Sequence, residues 1–279
     1  MIKSPFNYIG GKFKILEQIF EFFPQNINNF VDLFAGGLDV SININANNIF
    51  CNDINYRVIE IYKEMQNLTI EDLLTKIDKR IARFHLSKTN KEGYLKLRKQ
   101  YNKHPNPIDL YVLVCFSFNY QFRFNSKMEY NNPFGKDRSS FTEVMRENLK
   151  KFHSAILPFH FDAMDFRNYN FEFLGENDFI YADPPYLISC GSYNDGKRGF
   201  KGWSAEDDLA LFDTLNEINQ QGSRFALSNV ITHKGVNNEP LIDWAEQYNI
   251  HFINNNYNNS NYQSRSRQNE TQEVLITNF

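Results

Sequence analysis

Four consecutive residues carry the sharpest chemical signal in the chain. They are Asp183-Pro184-Pro185-Tyr186, directly after the apolar run Phe179-Ile180-Tyr181-Ala182. Two successive prolines fix φ at both positions and push the residue before each toward extended geometry, so the segment is stiff. Stiffness suits a carboxylate and a backbone carbonyl that must together accept hydrogen bonds from one amino group. Holding an amine in that way steers its lone pair toward an electrophile, while a tyrosine ring offers a face for stacking a planar substrate. Asp183, Pro184 and Tyr186 are therefore the candidate catalytic residues. A rigid surface turn could carry the same four residues; their place after a buried strand favours chemistry.

A second region reads as one end of a nucleotide-type site. Phe30-Val31-Asp32-Leu33-Phe34 is an apolar strand followed at once by Ala35-Gly36-Gly37, and Asn48 to Asp53 is a second short strand ending in an acid. In open α/β sheets, ligands sit beyond the carboxyl ends of strands, glycine lets the backbone approach them, and an acid in Asp53's place accepts ribose hydroxyls. Neither the G-x-G-x-x-G fingerprint nor the G-x-x-x-x-G-K-[ST] phosphate loop occurs, so an adenosine group without a polyphosphate fits best. A Gly-Gly pair alone is more often an ordinary turn. The same holds for Asn7-Tyr8-Ile9-Gly10-Gly11-Lys12, which places a second glycine pair beside a cation.

Positioning these residues requires alternating strands and helices. The hydrophobic periodicity predicts helices over 14–23, 38–46, 205–220 and 241–248, and strands over 30–34, 48–53, 160–162, 179–182, 224–228 and 273–276. Between 57 and 113 the pattern is mainly helical, and an aromatic segment follows at 116–124. The expected fold is α/β: a doubly wound, mostly parallel sheet interrupted by a mainly helical module with a β-hairpin. Residues 1–56 and 142–279 would form the sheet domain and 57–141 the insertion.

The chain has 279 residues, 42% of them hydrophobic and 27 of them Phe, enough for a substantial core. Its net charge of −3 argues, taken alone, against nucleic acid. The distribution argues otherwise: ten cationic residues lie between Lys76 and Lys103, against Asp78 and Glu92. Such a block is either a phosphate-binding face or a solvated helix surface. Cys51, Cys115 and Cys190 match no metal-ligand spacing, and no metal is expected. No apolar run approaches a membrane span, and the first residues carry no signal-peptide pattern; a cytoplasmic protein is expected.

Taken in order, Phe6-Asn7-Tyr8-Ile9-Gly10-Gly11-Lys12, Phe30 to Gly37, Asn131-Asn132-Pro133-Phe134-Gly135-Lys136 and Asp183 to Tyr186 resemble the Dam-type DNA adenine methyltransferases. The likeness is to the phage-like branch of the adenine-specific D12 class and spans nearly the whole chain. It implies a sheet of the class I S-adenosylmethionine-dependent type and a helical DNA-recognition insertion. It also implies methyl transfer to the 6-amino group of an adenine flipped out of double-stranded DNA, by a monomer or weak dimer. Tyr8, Lys12, Phe34, Gly36, Asp53 and Asp183 would line the S-adenosylmethionine pocket, and Asp183 and Tyr186 would hold the adenine. On the DNA side, Phe118 and Asn119 would insert into the duplex, Arg123 would read a guanine edge, and Gln121 and Pro133 would touch bases. Lys96, Arg98 and Lys99 are the candidate phosphate contacts in the basic block. Gln121 stands where the family pattern has an apolar residue, and the implied site is GATC-like. Two rival readings remain: an RNA or protein-glutamine methyltransferase on the same fold, whose motif usually begins with Asn, and a DNA-binding regulator without catalysis.

Overall fold

A buried strand needs neighbours on both sides, and β1 (Ile27–Asp32), buried from Phe30 onward, has them. The computed structural model describes residues 1–188, 202–254 and 271–279. After α1 (Leu16–Phe20) and β1 come β2 (Ala46–Asn52) and four helices: α2 (Tyr56–Gln66), α3 (Ile70–Arg83), α4 (Lys91–Lys103) and α5 (Pro107–Phe116). Then follow α6 (Glu143–Ile156), β3 (His160–Asp162), β4 (Phe179–Ala182), α7 (Ala205–Gln220) and β5 (Arg224–His233). The chain ends with β6 (Val236–Asn237), α8 (Glu239–Ala245), β7 (Asn249–Ile253) and β8 (Thr271–Thr277).

The strands form one sheet in the order β3-β2-β1-β4-β5-β8-β7, with β6 beside β5. The pairings from β3 to β5 are parallel, and β8 runs antiparallel to β5 and to β7. The strand order reverses between β1 and β4, so the segments leaving their carboxyl ends, Phe34 to Gly37 and Asp183 to Tyr186, flank the crevice where such sheets bind ligands.

One face of the sheet packs against α7 and α8 through Phe212, Leu215 and Leu241. The other shares a single buried cluster with the helices that follow β2: Tyr62 of α2 stacks on Phe161 at 5.2 Å, and Phe6 meets Tyr111 of α5 edge-on at 5.5 Å. Helix α5 is buried from Ile108 to Phe116, as a helix apolar on every side but for one residue must be. Asn106 caps it and Pro107 occupies its first turn. Its one acid, Asp109, is buried but receives Arg80 Nε and Gln100 Nε2, each at 2.9 Å.

Several expected elements come out differently. The helix expected over 38–46 is a chain of turns, with Ile42 N bonded to Leu38 O and Ile44 N to Val40 O. Leu38 takes a left-handed φ of +66°, and the Asn43 side chain bonds the Ile2 and Asp39 carbonyls, so local polar contacts compete with a helical ladder. The helix expected over 14–23 is five residues long, and β7 was not anticipated. Residues 116–135 form no continuous hairpin ladder. Two isolated bridges, Ser117 to Phe134 and Phe124 to Tyr130, close a loop containing a 3₁₀ turn at Phe118–Tyr120. The Asn132 amide nitrogen, 2.8 Å from Ser117 Oγ and 3.0 Å from the Phe118 and Gln121 carbonyls, supplies bonds that a ladder would otherwise make.

Candidate active site

The turn after β1 is built around Tyr8. A Cβ on Gly36 would lie 3.0 Å from the Tyr8 ring, and Gly36 also holds a left-handed φ of +46°. Glycine is thus required there by protein packing as well as by any ligand. The Tyr8 hydroxyl accepts from Asn55 Nδ2 at 3.2 Å, and Tyr62 donates to the Gly36 carbonyl at 2.6 Å. Asp53, just past β2, accepts the Gly36 N–H at 2.8 Å and the Asn55 N–H at 2.7 Å, one on each carboxylate oxygen. Burial pushes its pKa up against those two bonds. Each oxygen keeps a further lone pair for a ligand hydroxyl.

Across the crevice, Lys12 is buried, with Nζ 2.8 Å from Asp183 Oδ2, 2.7 Å from the Tyr186 hydroxyl, 3.4 Å from Glu273 Oε1 and 3.2 Å from the Gly10 carbonyl. The Tyr186 hydroxyl also lies 2.8 Å from Asp183 Oδ1 and 3.0 Å from Glu273 Oε1. Burial opposes the Lys12 charge, but Asp183 and Glu273 outweigh it and hold the ammonium above the usual lysine pKa. Pro184 is buried, fixing the backbone of the turn.

Together these residues line a cleft of about 720 Å³, which also takes in Asp32, Phe34, Phe166, Trp203 and Glu273. The half-buried Phe34 lies 5.5 Å from Phe166 and 5.6 Å from Trp203, giving the cleft an aromatic wall. All six expected cofactor residues and all three expected catalytic residues border it.

Sequence reasoning passed over Asp32 and Glu273. Both are acids inside apolar strands, which was the available signal. Asp32 is 1% exposed; the Ser41 hydroxyl donates to its Oδ2, while Oδ1 has no partner among the described residues. Burial pushes its pKa up to about 7. A folded-state pKa above the unfolded value of 3.8 means the stabilising, protonated form is lost as pH rises through 7. Asp32→Asn is therefore expected to gain melting temperature over the ligand-free parent progressively between pH 4 and 7 and to hold a constant gain above that. A pH-independent difference would contradict it.

The expected DNA-facing residues fall into two groups. Phe118, 42% exposed, together with Asn119, Arg123 and Pro133, projects from the loop, and Gln121 is half-buried. The Arg123 guanidinium has no protein partner among the described residues. Asn119 adopts a φ of +55°, tolerated well by asparagine, and its carbonyl accepts from Asn7 Nδ2 at 3.0 Å. The neighbouring Phe116 and Phe124 are core residues, and Phe122 packs 5.1 Å from Phe6.

The basic block is less free than its composition suggests. Lys76 pairs with Glu64 and Arg80 with Asp109, and Arg98 donates to the Asn132 carbonyl at 3.1 Å. Lys96 and Lys99 are exposed, the former 2.8 Å from exposed Glu92. Replacing Lys96 and Lys99 with Ala should flatten the salt dependence of duplex binding, whereas Arg98→Ala should chiefly lower stability, by about 1 kcal/mol for its hydrogen bond. Titrations at several salt concentrations, beside thermal melts, check this: equal salt slopes for parent and double variant would contradict the phosphate reading.

Cys51 and Cys115 are buried free thiols; Cys190 lies outside the described residues. Among the described residues no cluster of metal-ligating side chains occurs, and no helix is long and apolar enough to cross a membrane.

A mostly parallel sheet in this strand order, with an acidic and aromatic cleft at its reversal, is the architecture of a class I methyltransferase. Residues 8–259 match the family described as D12 class N6 adenine-specific DNA methyltransferase, and the chain belongs to that family. It is 49% identical over 280 positions to the type II methyltransferase M.FokI of Planomicrobium okeanokoites. It is 50% identical over 282 positions to the modification methylase StsI of Streptococcus sanguinis. Each alignment covers all of this chain and 43% of the relative, so the chain spans less than half the length of either. A DNA adenine methylase of Haemophilus influenzae is 30% identical over 186 positions, covering 64% of this chain and 62% of the relative.

Methyltransferases of this family use S-adenosylmethionine as methyl donor. The cleft suits it in size, being within the range of about 300–1,000 Å³ for small-molecule sites. The donor set suits it too: Asp53 has lone pairs for ribose hydroxyls, Phe34 and Trp203 give an apolar wall, and the orphaned Asp32 oxygen can accept from an ammonium.

Proposed function

We propose that this chain transfers a methyl group from S-adenosylmethionine to the 6-amino group of an adenine flipped out of duplex DNA. The observation that carries the reading is the Asp183 carboxylate, held on a stiff turn at the end of β4, facing a cleft whose opposite wall is the Gly36 turn and Asp53. When bound, S-adenosylmethionine supplies an electrophilic methyl on a cationic sulfur. Tyr8, Phe34, Gly36 and Asp53 hold the cofactor, with Lys12 and Asp183 bordering the same pocket. Asp183 and the Pro184 carbonyl accept the two amine hydrogens, and Tyr186 supports the base. As positive charge develops on the nitrogen, the anionic Asp183 and these fixed dipoles stabilise it without reorganisation.

Residues 57–141 act, in this reading, as the DNA-recognition insertion. Phe118 and Asn119 fill the gap left by the flipped base, Arg123, Gln121 and Pro133 meet base edges, and Lys96 and Lys99 meet phosphates. Arg98 serves by fixing Asn132. The resemblance supplies a GATC-like site as the sequence to test first, and the names of M.FokI and StsI favour a role in modification of DNA against a partner endonuclease. A monomer or weak dimer working in the cytoplasm completes the proposal.

Offering labelled S-adenosylmethionine with duplex DNA, RNA of the same sequence and a glutamine-containing peptide separates the rivals. Label in DNA alone is expected; label in RNA or peptide, or none anywhere, overturns the reading. Asp53→Ala should weaken cofactor binding while leaving the rate at saturating cofactor nearly unchanged, because ribose contacts are made alike in ground and transition states. A calorimetric titration of S-adenosylmethionine equal to that of the parent would contradict that role.

A further inference from the structure

The Lys12 ammonium sits 2.8 Å from Asp183 Oδ2, one of the two carboxylate oxygens to which a target amine could donate. A charge-assisted bond from an ammonium is stronger than one from a neutral amine, so an amine sharing this carboxylate with Lys12 is the weaker donor, and it gains if the cation has a second anion to lean on. Glu273, on β8, offers that place. It is 4% exposed, and its Oε1 already pairs with Lys12 Nζ at 3.4 Å, so a shift of well under an ångström would make it the nearer of the two anions. The Tyr186 hydroxyl bridges both carboxylates, 2.8 Å from Asp183 and 3.0 Å from Glu273, so it can follow the cation from one to the other. Two acids around one buried ammonium would be a poor arrangement for stability alone, since the second adds like-charge repulsion and desolvation.

We propose that Glu273 is a positioning residue that receives the Lys12 ammonium when the target amine enters, freeing Asp183 to hold it. Before entry, Lys12 lies nearer Asp183 than Glu273; afterwards Glu273 becomes its main partner, and the pocket keeps one cation for two anions throughout. The proposal rests on Asp183 being the amine's acceptor.

The test uses DNA binding without cofactor, on the duplex that best accepts methyl groups. Its affinity is compared with that of the same duplex carrying purine, which lacks the amino group, at the target position, the opposing base being omitted from both so that pairing strength does not differ. The parent should prefer the adenine duplex by about tenfold, the scale of one hydrogen bond to a charged acceptor. In Glu273→Gln, which keeps shape but not charge, the preference should fall to near one; Glu273→Asp should keep most of it. Adding Lys12→Met to Glu273→Gln should restore it, because the competing cation is gone. A purely structural Glu273 would not show this restoration. A Glu273→Gln protein with the parent's preference, or a double variant still near one, overturns the proposal alone. A preference near one in the parent overturns the Asp183 reading and this proposal with it.

Discussion

Asp183→Ala is expected to lose methyl transfer by a factor on the order of 10²–10³ or more, the cost of removing one fixed group from a charge-developing transition state. Its fold should survive. Removing one partner of a buried ion pair is normally costly, but Lys12 keeps Glu273, the Tyr186 hydroxyl and the Gly10 carbonyl within reach. Asp183→Asn should keep part of the rate, since its amide oxygen can still accept one amine hydrogen, while the charge that stabilises the developing cation is lost. Single-turnover transfer beside a thermal melt makes the comparison. A folded Asp183→Ala protein working within tenfold of the parent would contradict the role given to this residue.

Arg123→Ala is expected to lose about 1–3 kcal/mol of discrimination at one base pair, the value of a bidentate contact to a guanine edge. The residue is suited to that role by its exposure on a loop held by Asn132 and by a guanidinium without a protein partner among the described residues. Methylation of the best site should fall far more than methylation of a site altered at that pair. Arg123→Lys should rescue in part, because an ammonium cannot reproduce the planar fork. A panel of duplexes with single substitutions around the target adenine checks this. Uniform loss across the panel would make Arg123 a phosphate contact and leave the reader unassigned.

The sheet and the ends of β1, β2 and β4 were legible because buried parallel strands are short apolar runs ending in Gly, Asp or Pro, as at Gly36, Asp53 and Asp183-Pro184. The turns at 38–44 were not. Val40, Ile42 and Ile44 recur every second residue, a spacing that defines no helical face, and the competing bonds of Ser41 and Asn43 reach Asp32 and Ile2, which local sequence does not show. Within the cleft, the motif residues could be named from type and order. Glu273 could not, because its meaning comes from β8 lying beside β5 and bringing an acid to Lys12 from the opposite end of the chain. The basic block shows the reverse case: ten cations in a short span looked like one face, yet Lys76 and Arg80 answer the acids Glu64 and Asp109.

The most direct measurement is digestion to nucleosides of duplex DNA labelled from S-adenosylmethionine, run in parallel on an unmethylated duplex and on the same duplex already carrying N6-methyladenine at the target. The account predicts label in N6-methyladenine from the first duplex and little from the second. Label in a cytosine product, or equal label from both duplexes, would contradict it.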